Sequence, residues 1–513
     1  MARSLYGRLT RRYRPQPTAF DRREFLKITL AASAGLLLSG VPSFGRSAIP
    51  RGVGRGRRVT VVGAGFSGLA CAYELLSAGY DVTVLDARNR VGGRVLSFND
   101  MISGKVVEGG GELIGSNHPT WVAYAKKFGL SFNDVTESET LEAPLILGGK
   151  RLSEKESEAL WEEMDVAYKT MNAAAAPINA DEPWNSPDAQ RLDARSVAQW
   201  IRGLKVSELC KKAMTVELSA DNAAPTSRQS LLGNLTQVKG GGLEKFWTDS
   251  EVYRCRGGNA RLARKLANAI GERRLRLGTP VREIRTDGAN TIVRDAAGQT
   301  YEADHVVLAV PPTTWHNIRF SPGLPRTLKP QMGVAVKYLA GVKRRFWAKS
   351  GLSPDAFTDG MVSMTWDATD NQGSDANGAA MVGFSGGPAA ERARQAYARQ
   401  KDAAYAAALT EIYPTYPQNF VQARFMDWPG EMWTGAGYSF PAPRQVTTVG
   451  PVLHSGIGRL HFAGEHACYK FVGYMEGALN SGVSVAKRIA ARDAGAAAPE
   501  MRERSSVAPA RRS

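Results

Sequence analysis

Cysteine and histidine are scarce in this chain: four Cys and six His in 513 residues. Cys71, Cys210, Cys255 and Cys468 are scattered, with no CxxC pair and no metal-ligand spacing. They demand neither a zinc site nor a disulfide framework, although an oxidising compartment would permit disulfides. The histidines form no HxxxH pair, so no metal is assigned. The apolar run from Ile28 to Gly40, 13 residues, is too short to span a bilayer comfortably. The net charge of +17 is unevenly spread: residues 1–58 carry 13 Lys/Arg and 2 acids, so +11 sits there and +6 remains. That remainder, without an aromatic-interleaved basic patch, argues against nucleic acid as a partner.

Against these absences stands the stretch from Val59 to Arg94. Val59 to Val62 is apolar and β-branched, a strand signal. Gly63, Gly65 and Gly68 follow at GxGxxG spacing, then a helical run to Gly79. A second strand begins at Tyr80 and ends on Asp86, 18 residues after Gly68. Gly63 permits the tight strand-to-helix turn, Gly65 lets backbone approach a pyrophosphate, and Gly68 lets helix and strand pack closely. The helix N-terminus offers free N–H groups to phosphate, and Asp86 can accept from a ribose diol. Strand, glycines, helix and distal acid together predict a dinucleotide-binding βαβ unit.

The chain continues Ala87-Arg88-Asn89-Arg90-Val91-Gly92-Gly93-Arg94, which resembles the second glycine motif of FAD-dependent amine oxidases. The run from Phe462 through Gly464, Glu465, His466, Gly473, Tyr474 and Met475 to Ala478 resembles the flavin monoamine oxidase family. The resemblance extends from Arg58 to about Arg492 and is weakest from 150 to 250. It implies that Ala87, Arg88, Gly92, Gly93 and Arg94 pass the FAD pyrophosphate, that Gly464 and Glu465 belong to a second segment against the flavin, and that Met475 lies near it. It implies an aromatic cage with Tyr474 as one wall and Tyr438, at the end of Trp433-Thr434-Gly435-Ala436-Gly437-Tyr438, as the other. In the monoamine oxidases that motif ends in Cys-Tyr and the cysteine bonds the flavin; Gly437 stands there in this chain, which implies non-covalent FAD. Trp428 also matches a family aromatic. Met332 to Lys337 resembles the strand bearing the flavin lysine, and strand alternation puts Gly333, Ala335 and Lys337 on one face. Gly257, Gly258, Asn259 and Val281 match the surroundings of the adenine end, and Gly111, Glu112 and Gly115 match backbone near the isoalloxazine. His466 reads as a loop residue near the cofactor, not a base.

The expected fold is α/β: a Rossmann-like FAD-binding domain (58–117, 248–320 and 431–492) interrupted by an α+β substrate-binding domain (118–247 and 321–430). Helices are expected at Pro119–Gly129, Ser153–Ala175, Ser196–Leu218, Ala260–Ile270, Gly473–Ala491 and, as one long Ala-rich element, about Ala389 to Tyr413. Residues 493–513, rich in Ala, Pro, Ser and Arg, are expected to be a disordered tail. At the other end, Asp21-Arg22-Arg23-Glu24-Phe25-Leu26-Lys27 before the apolar run resembles a twin-arginine export signal, with Asp21 a departure from the usual Ser/Thr. Residues 1–45 are then a signal peptide cut near Gly45–Arg46, and 46–57 a Gly/Arg-rich linker. The expectation is export by the twin-arginine translocase to the periplasm or beyond, an uncleaved membrane anchor being the alternative.

The resemblance implies oxidative deamination of a primary or secondary amine at the flavin, with Lys337, Tyr438 and Tyr474 as catalytic residues. The imine formed would hydrolyse to an aldehyde or ketone, and O2 or a redox carrier would take the electrons, O2 giving hydrogen peroxide. An L-amino acid oxidase shares the fold and the glycine loop but needs a pocket arginine for the substrate carboxylate, which no motif identifies. An amine dehydrogenase passing electrons to a cytochrome or quinone is not separated by sequence. A desaturase or protoporphyrinogen-type oxidase would not need the paired tyrosines, and a non-catalytic FAD-binding module would not need Lys337.

Overall fold

The computed structural model describes residues 4–14, 49, 52–136, 141–288 and 290–504. At its centre is a parallel sheet of five strands in the order Leu460–Phe462, His305–Leu308, β1 (Arg58–Val62), β2 (Asp81–Leu85) and Leu275–Arg276. β1 thus has a sequence-adjacent strand on one side and a distant one on the other. The chain leaves its neighbours in opposite directions and opens a crevice at their C-terminal ends, the usual ligand position in such sheets. Apolar β-branched residues face both sides: Val59, Val61 and Val62 are almost fully buried.

Close backbone approach sets the geometry after β1. Gly63 has φ +111°, a conformation L side chains rarely adopt, and turns the chain into the Phe66–Ser77 helix. A Cβ on Gly68 would lie 1.9 Å from the Gly63 carbonyl oxygen. The Met475–Arg504 helix packs on the same helix, and a Cβ on its Gly482 would fall 2.2 Å from the Ser67 carbonyl.

A four-stranded sheet (Thr300–Ala303, Asn290–Asp295, Val281–Asp287, Arg319–Ser321) flanks this unit. The larger second sheet has seven strands, in the order Phe420–Met426, Ala335–Val342, Ala379–Gly386, Met364–Asp367, Phe357–Thr358, Leu145–Leu147 and Lys150–Arg151. Leu339, Val382 and Phe384 share one apolar core with the helices Glu154–Ala175, Glu208–Asp221 and Leu231–Gly240. Tyr338, Ala340 and Met381, on the opposite face, join a core with the helices Pro388–Gln400 and Asp402–Ile412.

Three expectations meet a different outcome. The long Ala-rich helix is two, because Lys401 at φ +51° breaks it. The expected Ser196–Leu218 helix is likewise split, into Val197–Arg202 and Glu208–Asp221, with Gly203 ending the first and Ser207 capping the second. The tail expected from 493 is helical to Arg504. Asp493 is buried there, accepting from Tyr80 Oη at 2.7 Å and ion-pairing Arg57 at 3.0 Å, so the last helix is anchored beyond the expected boundary.

The leader also departs from expectation in part. α1 (Leu5–Tyr13) is capped by Ser4 and seated in the core of the seven-stranded-sheet region. Leu5, Tyr6 and Leu9 are at most 2 % exposed, and each such burial is worth roughly 1.5–3 kcal/mol. Tyr6 stacks on Tyr168 with ring centroids 4.6 Å apart, its hydroxyl donates to Asp165 at 2.7 Å, and Arg8 donates to the Asp355 carbonyl. The twin-arginine pair, the apolar run and the Gly45–Arg46 cut site lie outside the described residues. Among the described residues no helix is long and apolar enough to cross a membrane.

Substituting Gly68→Ala tests the backbone approach. Relieving the clash should cost roughly 1–3 kcal/mol, lower the Tm and reduce the dinucleotide retained on purification. Unchanged Tm and content would show that helix and turn yield freely.

Candidate functional site

The crevice at the C-terminal ends of β1 and β2 opens to solvent and holds about 1270 Å3 of space, its solvent side included. Its walls bring together Gly63, Gly65, Asp86, Ala87, Arg88, Gly92, Gly93, Arg94, Gly111, Lys337, Tyr438, Gly464, Glu465, Tyr474 and Met475, along with Trp428, Trp433, Gly437 and His466. Residues more than 400 positions apart therefore line one cavity. Gly68, Glu112 and Val281 lie behind it. Gly68 packs on the turn, Glu112 stands under Lys337, and Val281 joins the apolar core with Leu85 and Val293. Asn259 also works from behind, its amide donating to the Gly111 and Glu112 carbonyls.

At the phosphate end the two glycine loops lie edge to edge. Gly92 N–H donates to the Ala64 carbonyl at 2.8 Å, and Gly65 and Gly92 form an isolated bridge. Space is open where a Gly65 side chain would stand, so the first N–H groups of the following helix face the crevice. Asp86 accepts from Ala64 N–H at 2.6 Å and Arg88 N–H at 2.8 Å; burial raises its carboxyl above the usual range. The arginines are committed. Arg88 pairs with Glu431 and donates to Thr434 Oγ1 at 2.7 Å. Arg94 donates to Glu465 at 3.0 Å and to the Gly437 carbonyl at 2.8 Å.

Glu465 is a buried hub. Its carboxylate accepts from Ser439 Oγ at 2.6 Å, from Ser439 N–H, from Gly473 N–H at 2.9 Å and from Arg94. Burial alone would raise its carboxyl, but Arg94 and the hydrogen bonds outweigh it and hold it below the usual range. Thus the segments carrying the two tyrosines, 437–439 and 464–474, are clamped to one carboxylate.

Lys337 occupies the opposite wall. Its ammonium donates to Glu112 Oε2 at 2.6 Å and to the Gly110 carbonyl at 2.7 Å. Arg254 and Trp366 Nε1 bond the other oxygen of Glu112, at 2.8 and 2.9 Å. Burial is again overcome, by Lys337 and then Arg254, and the Glu112 carboxyl is held low. Tyr438 donates to the Ala220 carbonyl at 3.2 Å, and Tyr474 to Glu251 at 3.3 Å. Burial, with the acids Asp221 and Glu251 nearby, pushes both phenols well above their usual value, so both are neutral hydroxyls at ordinary pH.

Features of the cavity match the isoalloxazine end of FAD. A Cβ on Gly111 would fall 2.9 Å from the Met475 side chain, leaving only a flat slot there. His466, 2 % exposed, lines the crevice with neither ring nitrogen hydrogen-bonded among the described residues, and burial lowers it to about 4, so it is a neutral ring. Gly437 has no room for a side chain: a Cβ would stand 2.7 Å from Ala335. All four cysteines are buried free thiols and none lines the crevice; Cys468 donates weakly to Asn480. The residues present fit FAD held without a covalent bond.

Sequence reasoning missed Glu251 and Asp221 beside the tyrosines, and Arg254 and Trp366 around Glu112. A carboxylate between helices in the weakly matching region carries no motif; its signal is only an acid at a position where helical spacing predicts burial.

A model of the family described as flavin containing amine oxidoreductase matches residues 66–490. Amine oxidase [flavin-containing] B of Canis lupus familiaris is 28% identical over 84% of this chain and 85% of its own. The probable flavin-containing monoamine oxidase A of Dictyostelium discoideum is 27% identical over 84% of this chain and 97% of its own. Among solved structures, putrescine oxidase bound to putrescine superposes with a TM-score of 0.76 at 26% identity, covering 85% of this chain and 99% of its own. Cyclohexylamine oxidase from Brevibacterium oxydans gives 0.76 at 25%, covering 86% and 99%.

Acid precipitation of the purified full-length protein should release its yellow colour to the supernatant. Colour kept in the pellet would place a covalent tether at a residue other than Gly437.

Proposed function

The chain belongs to the flavin-containing amine oxidoreductase family, and from that premise we propose that its crevice deaminates an aliphatic or aryl-alkyl amine, with O2 taking the electrons to give hydrogen peroxide. FAD-dependent oxidation of an amine is the family's chemistry. The observation that carries the reading here is the convergence of Lys337, Tyr438 and Tyr474 on the one cavity that both glycine loops enter.

Bound FAD supplies a two-electron acceptor for the hydride equivalent leaving the carbon beside the amine nitrogen. Gly65 and Gly93, with the first turn of the Phe66–Ser77 helix, would hold its pyrophosphate through backbone N–H groups. Gly63 and Gly92, whose own N–H groups are spent on Leu85 and Ala64, shape the turn and loop, and Asp86 would take its ribose. The protein's own work is placement. Tyr438 and Tyr474 offer neutral, electron-rich rings to a substrate nitrogen, and the Glu465 clamp fixes the segments that carry them. Lys337 pins the Gly110 carbonyl, and so the backbone of the slot, against the substrate-side sheet. The imine product is hydrolysed by water to the carbonyl compound and ammonia or a smaller amine. An amino acid substrate fits less well, because the two arginines lining the crevice are already paired and the surroundings of the tyrosines are acidic.

His466 and the two tyrosines do not change charge between pH 7 and 10. His466 is neutral above about 4 and both tyrosines remain protonated. If the amine reacts unprotonated, kcat/KM should rise up to about tenfold per pH unit until the amine's own ionisation is passed. A profile that stays flat from about pH 7 to 10 would refute entry as the free amine.

The twin-arginine resemblance supports a second proposal: the protein is exported with its cofactor loaded and acts in the periplasm. Cleavage near Gly45–Arg46 would detach α1 from the chain. Amino-terminal sequencing of periplasmic protein should then read from near Arg46. Protein confined to the cytoplasm would overturn export, and exported protein still carrying Leu5 would overturn the cleavage.

A further inference from the structure

α1 rests on the two elements that hold the cage tyrosines. One is the helix Glu208–Asp221, whose Ala220 carbonyl accepts from the Tyr438 hydroxyl at 3.2 Å. The other is the helix Glu244–Asp249 with Glu251 just after it, and the Glu251 carboxylate accepts from the Tyr474 hydroxyl at 3.3 Å.

The contacts at each element are specific. On the first, Ser4 Oγ and Tyr6 N–H both donate to the buried Glu217, at 2.9 and 3.0 Å, one helical turn ahead of Ala220. On the second, Ser4 N–H donates to Glu251 Oε2 at 3.0 Å. One carboxylate is thus shared between the residue that caps α1 and a cage hydroxyl. Backbone approach is close here: a Cβ on Gly7 would stand 2.2 Å from the Trp247 carbonyl oxygen. An edge-to-face series of rings runs the same way. Tyr6 meets Trp247, Trp247 meets Phe246 and Phe246 meets Tyr474, with centroids 6.3, 4.7 and 6.3 Å apart. Such pairs fix the angles of the rings as well as burying them.

A cage wall works only at a held angle, because small misplacements of a positioning group are costly to rate. Ser4 N–H is one of the donors that set the orientation of the Glu251 carboxylate, and the Tyr474 hydroxyl follows that carboxylate. We propose that α1 is a positioning element of the amine site, setting Tyr474 through Ser4 N–H on Glu251 and the helix end under Tyr438 through Glu217. The inference rests on the amine-oxidising reading of the crevice. The complete cage then belongs to a chain with α1 seated, and a chain cut near Gly45–Arg46 and parted from α1 works less well.

The test uses the full-length holoenzyme with 2-phenylethylamine and n-hexylamine. Ser4 has φ −53°, which proline accepts. Ser4→Ala and Ser4→Pro both lose the hydroxyl, and only Ser4→Pro loses the N–H. At equal FAD content, kcat/KM should fall roughly tenfold from Ser4→Ala to Ser4→Pro, chiefly through KM. In a Tyr474→Phe background the two should agree within about twofold, since the hydroxyl that Glu251 receives is gone. A merely structural α1 would lower the Tm alike in both backgrounds and leave these ratios at one. Equal kcat/KM for the two Ser4 variants, or a ratio that survives Tyr474→Phe, would overturn the proposal. Should Ser4→Pro give no holoenzyme, Gly7→Ala takes its place: alanine favours the helix but meets the Trp247 carbonyl and lifts α1 from its seat. It should raise KM in the same way, and an unchanged KM would overturn the proposal. Nitration of Tyr474 by tetranitromethane, read by peptide mass, needs no amine and should rise severalfold from Ser4→Ala to Ser4→Pro. Where no form oxidises an amine this readout decides alone: a rise keeps the positioning while the amine-oxidising reading falls, and no rise ends both.

Discussion

A buried ammonium against a buried carboxylate holds this molecule's two halves in register. Lys337 and Glu112 are 2.6 Å apart with side chains 8 % and 1 % exposed. Taking both charges out of water is expensive, and the pair is tolerable only because every remaining valence is filled. Lys337 reaches the Gly110 carbonyl; Glu112 takes Arg254 and Trp366; the Trp366 ring lies 5.7 Å from the ammonium. These groups come from separate places: two strands of the seven-stranded sheet, the Tyr253–Cys255 strand and the 110–112 segment beside the glycine loops. Losing one partner would strand a charge, so sheet and crevice floor are fixed to each other as one body.

The same logic shapes the charges inside the crevice. Its arginines are spent on Glu431 and Glu465, and its lysine on Glu112. What remains for an anion is backbone: the N–H groups of the glycine loops and the positive end of a helix dipole. Such donors are rigid and cannot swing away, which suits a cofactor that stays bound through many turnovers. On the substrate side the balance reverses, with neutral phenols backed by acids.

Local features were legible in the sequence and remote ones were not. Strand, glycine turn, helix and Asp86 are consecutive, so their spacing carries their geometry, and Gly63 and Gly65 line the crevice as that spacing implies. Tyr438, Tyr474 and Lys337 were found through resemblance, and all three reach the crevice. The partner of Lys337 lies 225 positions away and that of Arg94 lies 371 away, distances over which no periodicity speaks. Val281 shows the converse: its position along the chain suggested the adenine end, yet its side chain turns into the apolar core with Leu85. Composition misled at the end of the chain, where Ala-rich sequence can be tail or helix. Asp493 is tied to Tyr80 inside a helix that runs to Arg504.

α1 is made early and seated late. Its residues need Asp165, Glu217, Glu251 and Asp355 as partners, so its full set of contacts waits until more than two thirds of the chain has left the ribosome. Contacts of such long sequence separation close slowly, and until they do the apolar side chains of Leu5, Tyr6 and Leu9 remain exposed. The seating of the amino terminus therefore waits on residues as far along as Asp355, and a docked α1 marks a chain in which the helices carrying Asp165 and Glu217 and the segment at Asp355 have already come together.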